Sequence, residues 1–158
     1  MITVGDTAPD FTLQDMHGHP ITMRKLRGTR VVLYFYPKDD TPGCTLEGRE
    51  FSALYPAFAK RGVVVFGISK DSLESHCAFA EKYGFSVPLL TDDGDVCERY
   101  GVWVEKLLFG KKVMGIARTT FLIDEDGRIR KVWAAVEPAG HAEKVLAEMD
   151  YQSHATNS

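Results

Sequence analysis

Residues 31–51 read VVLYFYPKDDTPGCTLEGREF, and the fold turns on how that stretch divides. Val31 to Tyr36 is an uninterrupted apolar run rich in Val, Tyr and Phe, the pattern of a central strand buried on both faces. Thr41-Pro42 then reads as a helix start: threonine is a favoured N-cap, and proline suits the first helical position, where its missing N–H would have no partner anyway. Counting back from Phe51 by four and seven reaches Glu47 and Cys44, so both continue the inward stripe of the helix toward the end of the strand. Backbone N–H groups at a helix start carry partial positive charge, which favours a thiolate, the nucleophilic form of cysteine. Pro37 and Pro42 stiffen the connecting loop, and Gly43 removes a side chain that would crowd anything approaching the sulfur. On these residues alone, a half-buried packing cysteine is an equal reading.

Outward from this stretch, strands and helices alternate. Phe11 to Leu13 and Ile21 to Met23 flank the turn-rich MHGHP and read as a β-hairpin. Pro56 should kink the first helix rather than end it. Val63 to Ser69 is a second buried strand, and Asp71 to Tyr83 a helix with Leu73, Cys77 and Ala80 at helical spacing. Pro88 to Leu90 reads as a short strand and Asp95 to Tyr100 as a short helix. Thr119 to Ile123 and Ile129 to Val136 form an antiparallel pair around the tight turn DEDG at 124–127. Gly140 to Met149 is a last amphipathic helix, with Ala142, Val145, Leu146 and Met149 inward. This order describes one α/β domain over residues 1–151, with a mixed sheet, helices on both faces and an N-terminal β-hairpin. A polar tail at 152–158 is expected to be disordered.

Composition narrows the function. With 158 residues, 44% hydrophobic and 26% charged, the chain is long enough for one proper core. Its 19 basic and 22 acidic residues give a formal net charge of -3 without any basic block, so nucleic acid is not an expected partner. The longest apolar runs are strand-length, far short of the roughly 20 residues that span a bilayer, so no membrane association is expected. The opening MITVGDTAPDF has no basic region followed by an apolar core, and we expect a cytoplasmic protein. Three cysteines, Cys44, Cys77 and Cys97, are too few and too scattered for a disulfide scaffold, and no two form CxxC. A metal is not expected: His76-Cys77 would point apart on a helix, and His17, His19, His141 and His154 show no ligand spacing.

FYPKDDTPGCTLE carries Pro-x-x-x-Thr-x-x-Cys as Pro37, Thr41 and Cys44, with Glu47 following. Together with GDTAPDFTLQD near the N-terminus, ISKDSLESH before the second helix and ARTTFLIDEDGRI near the end, it resembles the peroxiredoxins, and in particular their Q-type branch, the bacterioferritin comigratory proteins. The resemblance implies a thioredoxin fold with an N-terminal extension and a thiol-dependent peroxidase acting on hydrogen peroxide and organic hydroperoxides. It implies no prosthetic group, a thioredoxin-like or glutaredoxin-like electron donor, and a monomer. By the same resemblance Cys44 is the peroxidatic cysteine, becoming a sulfenic acid. Thr41 holds the peroxide and orients the sulfur, Pro37 shields the site from water, and Arg118 stabilises the thiolate and the leaving oxygen. Glu47 positions that arginine.

The chain departs from the family at its second cysteine. One subgroup carries a resolving cysteine five residues after the first, where this chain has Arg49; another carries it in the next helix, where this chain has Ala80. Cys77 lies three residues before Ala80, on the same helical face, and is the resolving candidate, against a reading as a packing residue beside Leu73. Cys97 reads as packing. The alternatives to a two-cysteine peroxidase are a one-cysteine peroxidase and a peroxide sensor or redox relay to a partner protein. A cysteine hydrolase would need a histidine base near Cys44, and His76 is the one internal helical candidate.

Overall fold

The computed structural model describes residues 2–156. Among them, seven strands form one mixed sheet in the order β2-β1-β5-β4-β3-β8-β9. In chain order these are β1 (Thr12–Asp15), β2 (Pro20–Thr22), β3 (Arg30–Phe35), β4 (Val63–Ser69), β5 (Leu89–Thr91), β8 (Thr119–Ile123) and β9 (Ile129–Trp133). β3 is central, with parallel β4 on one side (Leu33 opposite Phe66) and antiparallel β8 on the other (Leu33 opposite Phe121). Its period-two alternation feeds two cores. Val31, Leu33 and Phe35 pack with Phe66, Ile68, Tyr100 and Phe121 on one face. Val32, Tyr34 and Tyr36 pack with Cys44, Phe51, Phe58 and Leu122 on the other.

Helices cover both faces. α1 (Pro42–Lys60), α2 (Leu73–Tyr83) and α4 (His141–Thr156) share the face that holds Cys44, through Phe51, Phe58, Phe79, Val145 and Met149. The short α3 (Val96–Arg99) and a 3-10 turn over Met23–Leu26 lie on the other. α1 runs unbroken past Pro56 to Lys60. α4 continues beyond Tyr151, where a disordered tail was expected to begin, as far as Thr156; positions 157 and 158 lie outside the described residues.

Several element bounds shift from the sequence reading for local reasons. The first hairpin pairs Thr12 with Thr22, and Met23 leaves the strand to start the 3-10 turn. Its turn is closed by the Asp15 carboxylate, which accepts the backbone N–H groups of His17 and His19 at 2.9 Å each. β9 stops at Trp133 because the chain turns at Ala135, whose φ is +50°, and the Val136 N–H bonds the Arg118 carbonyl at 3.1 Å instead of extending the ladder. In α2 the buried residues are His76, Phe79 and Ala80; Leu73 and Cys77 are half-buried. A whole hairpin, β6 (Trp103–Leu108) and β7 (Lys111–Ile116), stands apart from the main sheet where the sequence reading placed no element.

Candidate active site

Cys44 occupies the first turn of α1, directly past the carboxyl end of β3, and is 2% exposed. Thr41 takes the N-cap position with extended backbone, and Pro42 follows inside the helix, as the propensities dictate. The Thr41 hydroxyl does not cap, however. It donates to the Lys38 carbonyl at 2.8 Å, which leaves its oxygen lone pairs free to accept a hydrogen bond.

Arg118 sits in the two-residue link between β7 and β8, its carbonyl held by Val136. One guanidinium nitrogen, Nη2, donates to the Cys44 Sγ at 3.4 Å, and Nη1 donates to Glu47 Oε1 at 2.7 Å. Glu47 is one turn along α1 and fully buried, so helical spacing puts the sulfur and the carboxylate within reach of one planar fork. Burial works against the charged guanidinium, but Glu47 and Cys44 beside it outweigh that and raise its pKa further. Burial pushes the Glu47 carboxyl up to about 7 against the downward pull of Arg118, and its Oε2 has no hydrogen-bond partner among the described residues. A cation forked between a thiol and a buried carboxylate can stabilise a thiolate and any negative charge that develops beside it.

The structure brings Cys44, Glu47 and Arg118 together, with Thr41 at the helix start. Pro37 is solvent-exposed in the loop after β3. Over Gly43 stand Arg118 and a second proline: a Cβ on Gly43 would lie 3.0 Å from Arg118 Nη2 and 3.3 Å from the Pro138 ring. The Glu50 carboxylate accepts the Gly140 N–H at 3.1 Å and ties that second loop to α1. Pro138 lies in a linker with no motif, and only its place before the last helix marked it in the sequence.

Cys77 is a half-buried free thiol and faces elsewhere. It lines an open cavity of about 440 Å³ with Met16, His17, Ala80 and Phe85, and Cys44 is not part of that lining. Cys97 is wholly buried, its thiol pKa pushed up by burial and by Asp92, which fits a packing role.

Sequence reasoning also missed a polar network joining the loop before α1 to α2. Asp39, 7% exposed, accepts from Tyr36 Oη (2.6 Å) and Ser75 Oγ (2.8 Å) and lies 2.7 Å from His76 Nδ1. His76 Nε2 lies 2.9 Å from the Leu90 carbonyl. Asp71 accepts from Ser69 Oγ and the Asp39 N–H. Asp39, Asp71 and His76 offer ligand atoms close enough to hold a cation, yet each already has a hydrogen-bond partner. With both ring nitrogens so engaged, His76 is no base for Cys44. Next along the loop, Asp40 accepts from Tyr83 Oη at 2.6 Å and pairs with Lys82 at 2.8 Å.

A helix-start cysteine served by a half-buried arginine, on a mixed sheet with this order, defines a thiol-based redox enzyme of the thioredoxin fold. Residues 4–132 match the AhpC/TSA family, and the chain belongs to that family. It is 45% identical over 141 residues to the peroxiredoxin Bcp of Xanthomonas campestris, covering 89% of this chain and 88% of that one. With the peroxiredoxin Bcp of Bacillus subtilis it shares 43% over 146 residues, 92% of this chain and 93% of that one. Among solved structures, the Xylella fastidiosa PrxQ cysteine-to-serine mutant superposes with a TM-score of 0.92 at 37% identity, covering 97% of this chain and 98% of that one. The X. campestris bacterioferritin comigratory protein, studied for alkyl peroxide reduction through trapped intermediate and ligand complexes, gives 0.85 at 43% identity, covering 90% and 91%. The chain is thus a peroxiredoxin, a thiol peroxidase. Among the described residues no helix is long and apolar enough to cross a membrane.

Proposed function

We propose that Cys44 is the peroxidatic cysteine, that hydrogen peroxide and alkyl hydroperoxides are its substrates, and that Cys77 resolves it. The observation that carries the reading is the Arg118 fork on Cys44 Sγ and Glu47 Oε1. The Cys44 thiolate attacks one peroxide oxygen and the O–O bond breaks. Sulfur becomes a sulfenic acid, and the other oxygen leaves with a proton as water or alcohol. Arg118 faces the charge that grows on that leaving oxygen, and the Thr41 oxygen accepts the hydrogen bond of the incoming peroxide. Pro37 and Pro138 limit the approach from outside.

The Cys77 thiolate then attacks the sulfenic sulfur, water leaves, and the disulfide is reduced by a thioredoxin-like or glutaredoxin-like dithiol in the cytoplasm. Three free thiols in the folded chain fit such a reducing compartment. Cys44 is buried in the first turn of α1 while Cys77 lines a separate cavity beside α2, and a disulfide needs Cα atoms within about 7 Å. The first turn of α1 unwinds and α2 loosens around Cys77 so that the two sulfurs can join. Mass measurement after one equivalent of peroxide, with peptide mapping, tests the reading: wild type should show a Cys44–Cys77 disulfide and Cys77→Ser a sulfenic acid at Cys44 that over-oxidises. Turnover of Cys77→Ser with thioredoxin would instead establish a one-cysteine enzyme, and loss of Cys44 should end peroxide consumption altogether.

A further inference from the structure

The β6–β7 hairpin forms a two-stranded sheet of its own beside the main one. Its tip is open to solvent, with Phe109 97% exposed, but its base is buried through Val102 and Ile116 and leads straight into Arg118. Register places Val104 opposite Gly115 and Lys106 opposite Val113, so Lys106 and Gly115 share one face. The Lys106 stem lies back along that face across Gly115, where an added Cβ would be 3.3 Å from Lys106 Cδ. Its ammonium ends as a donor to the Ile116 carbonyl, two residues before Arg118.

Ordering a lysine in this way costs rotamer freedom and part of its hydration. Among the described residues the ammonium pairs with no carboxylate that would offset that cost. Burial and Arg118 act against its charge, and the charge that favours it is that of Cys44. Charge counting in the site points the same way. Cys44 as thiolate and Glu47 as carboxylate are two anions, and Arg118 is one cation. A leaving oxygen adds further negative charge as the O–O bond breaks.

We propose that Lys106 is a positioning residue of the peroxidatic site: its hydrogen bond to the Ile116 carbonyl fixes the strand end that delivers Arg118, and its ammonium adds a second cation on the Cys44 side of that strand end. This rests on Cys44 being the peroxidatic cysteine. A lysine acting through space and through a carbonyl should be replaceable by arginine but not by an uncharged chain.

The test measures two quantities in Lys106→Met, Lys106→Gln and Lys106→Arg: the second-order rate of Cys44 oxidation by hydrogen peroxide, and the pH profile of Cys44 alkylation by iodoacetamide, read on the mapped peptide. The other charged or titratable groups around the sulfur are Arg118 from the β7–β8 link, Glu47 and Glu50 from α1, Tyr34 from β3 and His141 from α4. All of them stay constant across the series. Both neutral variants should oxidise about tenfold more slowly and move the alkylation midpoint to higher pH, with Lys106→Arg restoring most of both. Wild-type rate and midpoint in the neutral variants would overturn the proposal, as would an arginine variant as slow as they are. Oxidation of wild type at a cysteine other than Cys44 would overturn the peroxidatic assignment itself, a result distinguishable because it needs no Lys106 variant.

Discussion

Arg118 serves the Cys44 sulfur and the Glu47 carboxyl with two different nitrogens, and that geometry decides what its substitution does. Arg118→Ala removes the donor to Cys44 and leaves the buried Glu47 without a cation, so peroxide consumption should fall by about 100-fold while far-ultraviolet circular dichroism stays native. Arg118→Lys should recover little, because one ammonium cannot span a sulfur and a carboxylate in a fixed fork. A lysine variant within threefold of wild type would show that charge alone suffices. Thr41→Val keeps the shape of the helix start but removes the acceptor oxygen, and stopped-flow oxidation should slow by about tenfold. Cys44, Glu47 and Arg118 were all legible in the sequence, two from helical spacing and the third from its motif. The partner of Thr41 was not. A hydroxyl at a helix start can cap the helix or turn back to a loop carbonyl, and the loop conformation that chooses Lys38 leaves no trace in residue types. Lys106 and Pro138 were hidden for a different reason: their roles come from long-range approach, not from neighbours in sequence.

The elements around the site differ in how clearly the sequence announces them. β3 alternates between two apolar cores and α1 carries its stripe, so both were plain. The β6–β7 hairpin was not, because Leu107, Leu108, Phe109 and Met114 are all mostly exposed and no inward period exists to read. Its turn is made by Phe109 and Gly110, both in left-handed backbone, where an asparagine or aspartate would have given the signal. In α2 the stripe was placed on Leu73, Cys77 and Ala80, whereas His76, Phe79 and Ala80 are buried; a histidine reads as polar until its partner Asp39 is seen. That partner gives α2 a mechanical role. Asp39 and Asp40 fasten the loop before α1 to Ser75, His76, Lys82 and Tyr83, so opening α2 to release Cys77 has to break contacts with the loop that precedes Cys44. Asp40→Gly removes two of those contacts and suits the backbone, since Asp40 has φ +55°. It should speed disulfide formation severalfold after a peroxide pulse and lower the over-oxidised fraction, both read by mass. An unchanged disulfide rate would mean that α2 opens without releasing this loop.

Across the whole molecule, the site places two titrations of opposite sign in one core. Glu47 carries a pKa raised from 4.5 to about 7 by burial, so the folded state holds a proton that the unfolded chain has released, and stability falls as pH rises across that interval. His141, 4% exposed, is 2.9 Å from Thr120 Oγ1 through Nε2 and edge-on to Phe51 and Trp133. Its pKa is lowered from 6.5 to about 4 by burial and by the cations Lys144 and Arg118. There the unfolded chain binds the proton first, so stability rises with pH between about 4 and 6.5. Each displacement is worth at most roughly 3 kcal/mol, and over the shared range the two slopes oppose each other. Glu47→Gln takes one of them away. The difference in unfolding free energy between this variant and wild type, measured by urea denaturation, should therefore grow in the variant's favour by up to about 3 kcal/mol as pH rises from 4.5 to 7. Its peroxidase rate should fall over the same range, because a neutral amide holds Arg118 less firmly than a carboxylate. A free-energy difference that stays constant with pH would show that Arg118 cancels the cost of burying the carboxylate, and that Glu47 is ionised throughout. The expected outcome is a site that weakens the fold near neutral pH by keeping a charged carboxylate in the core, in order to keep one guanidinium on the sulfur.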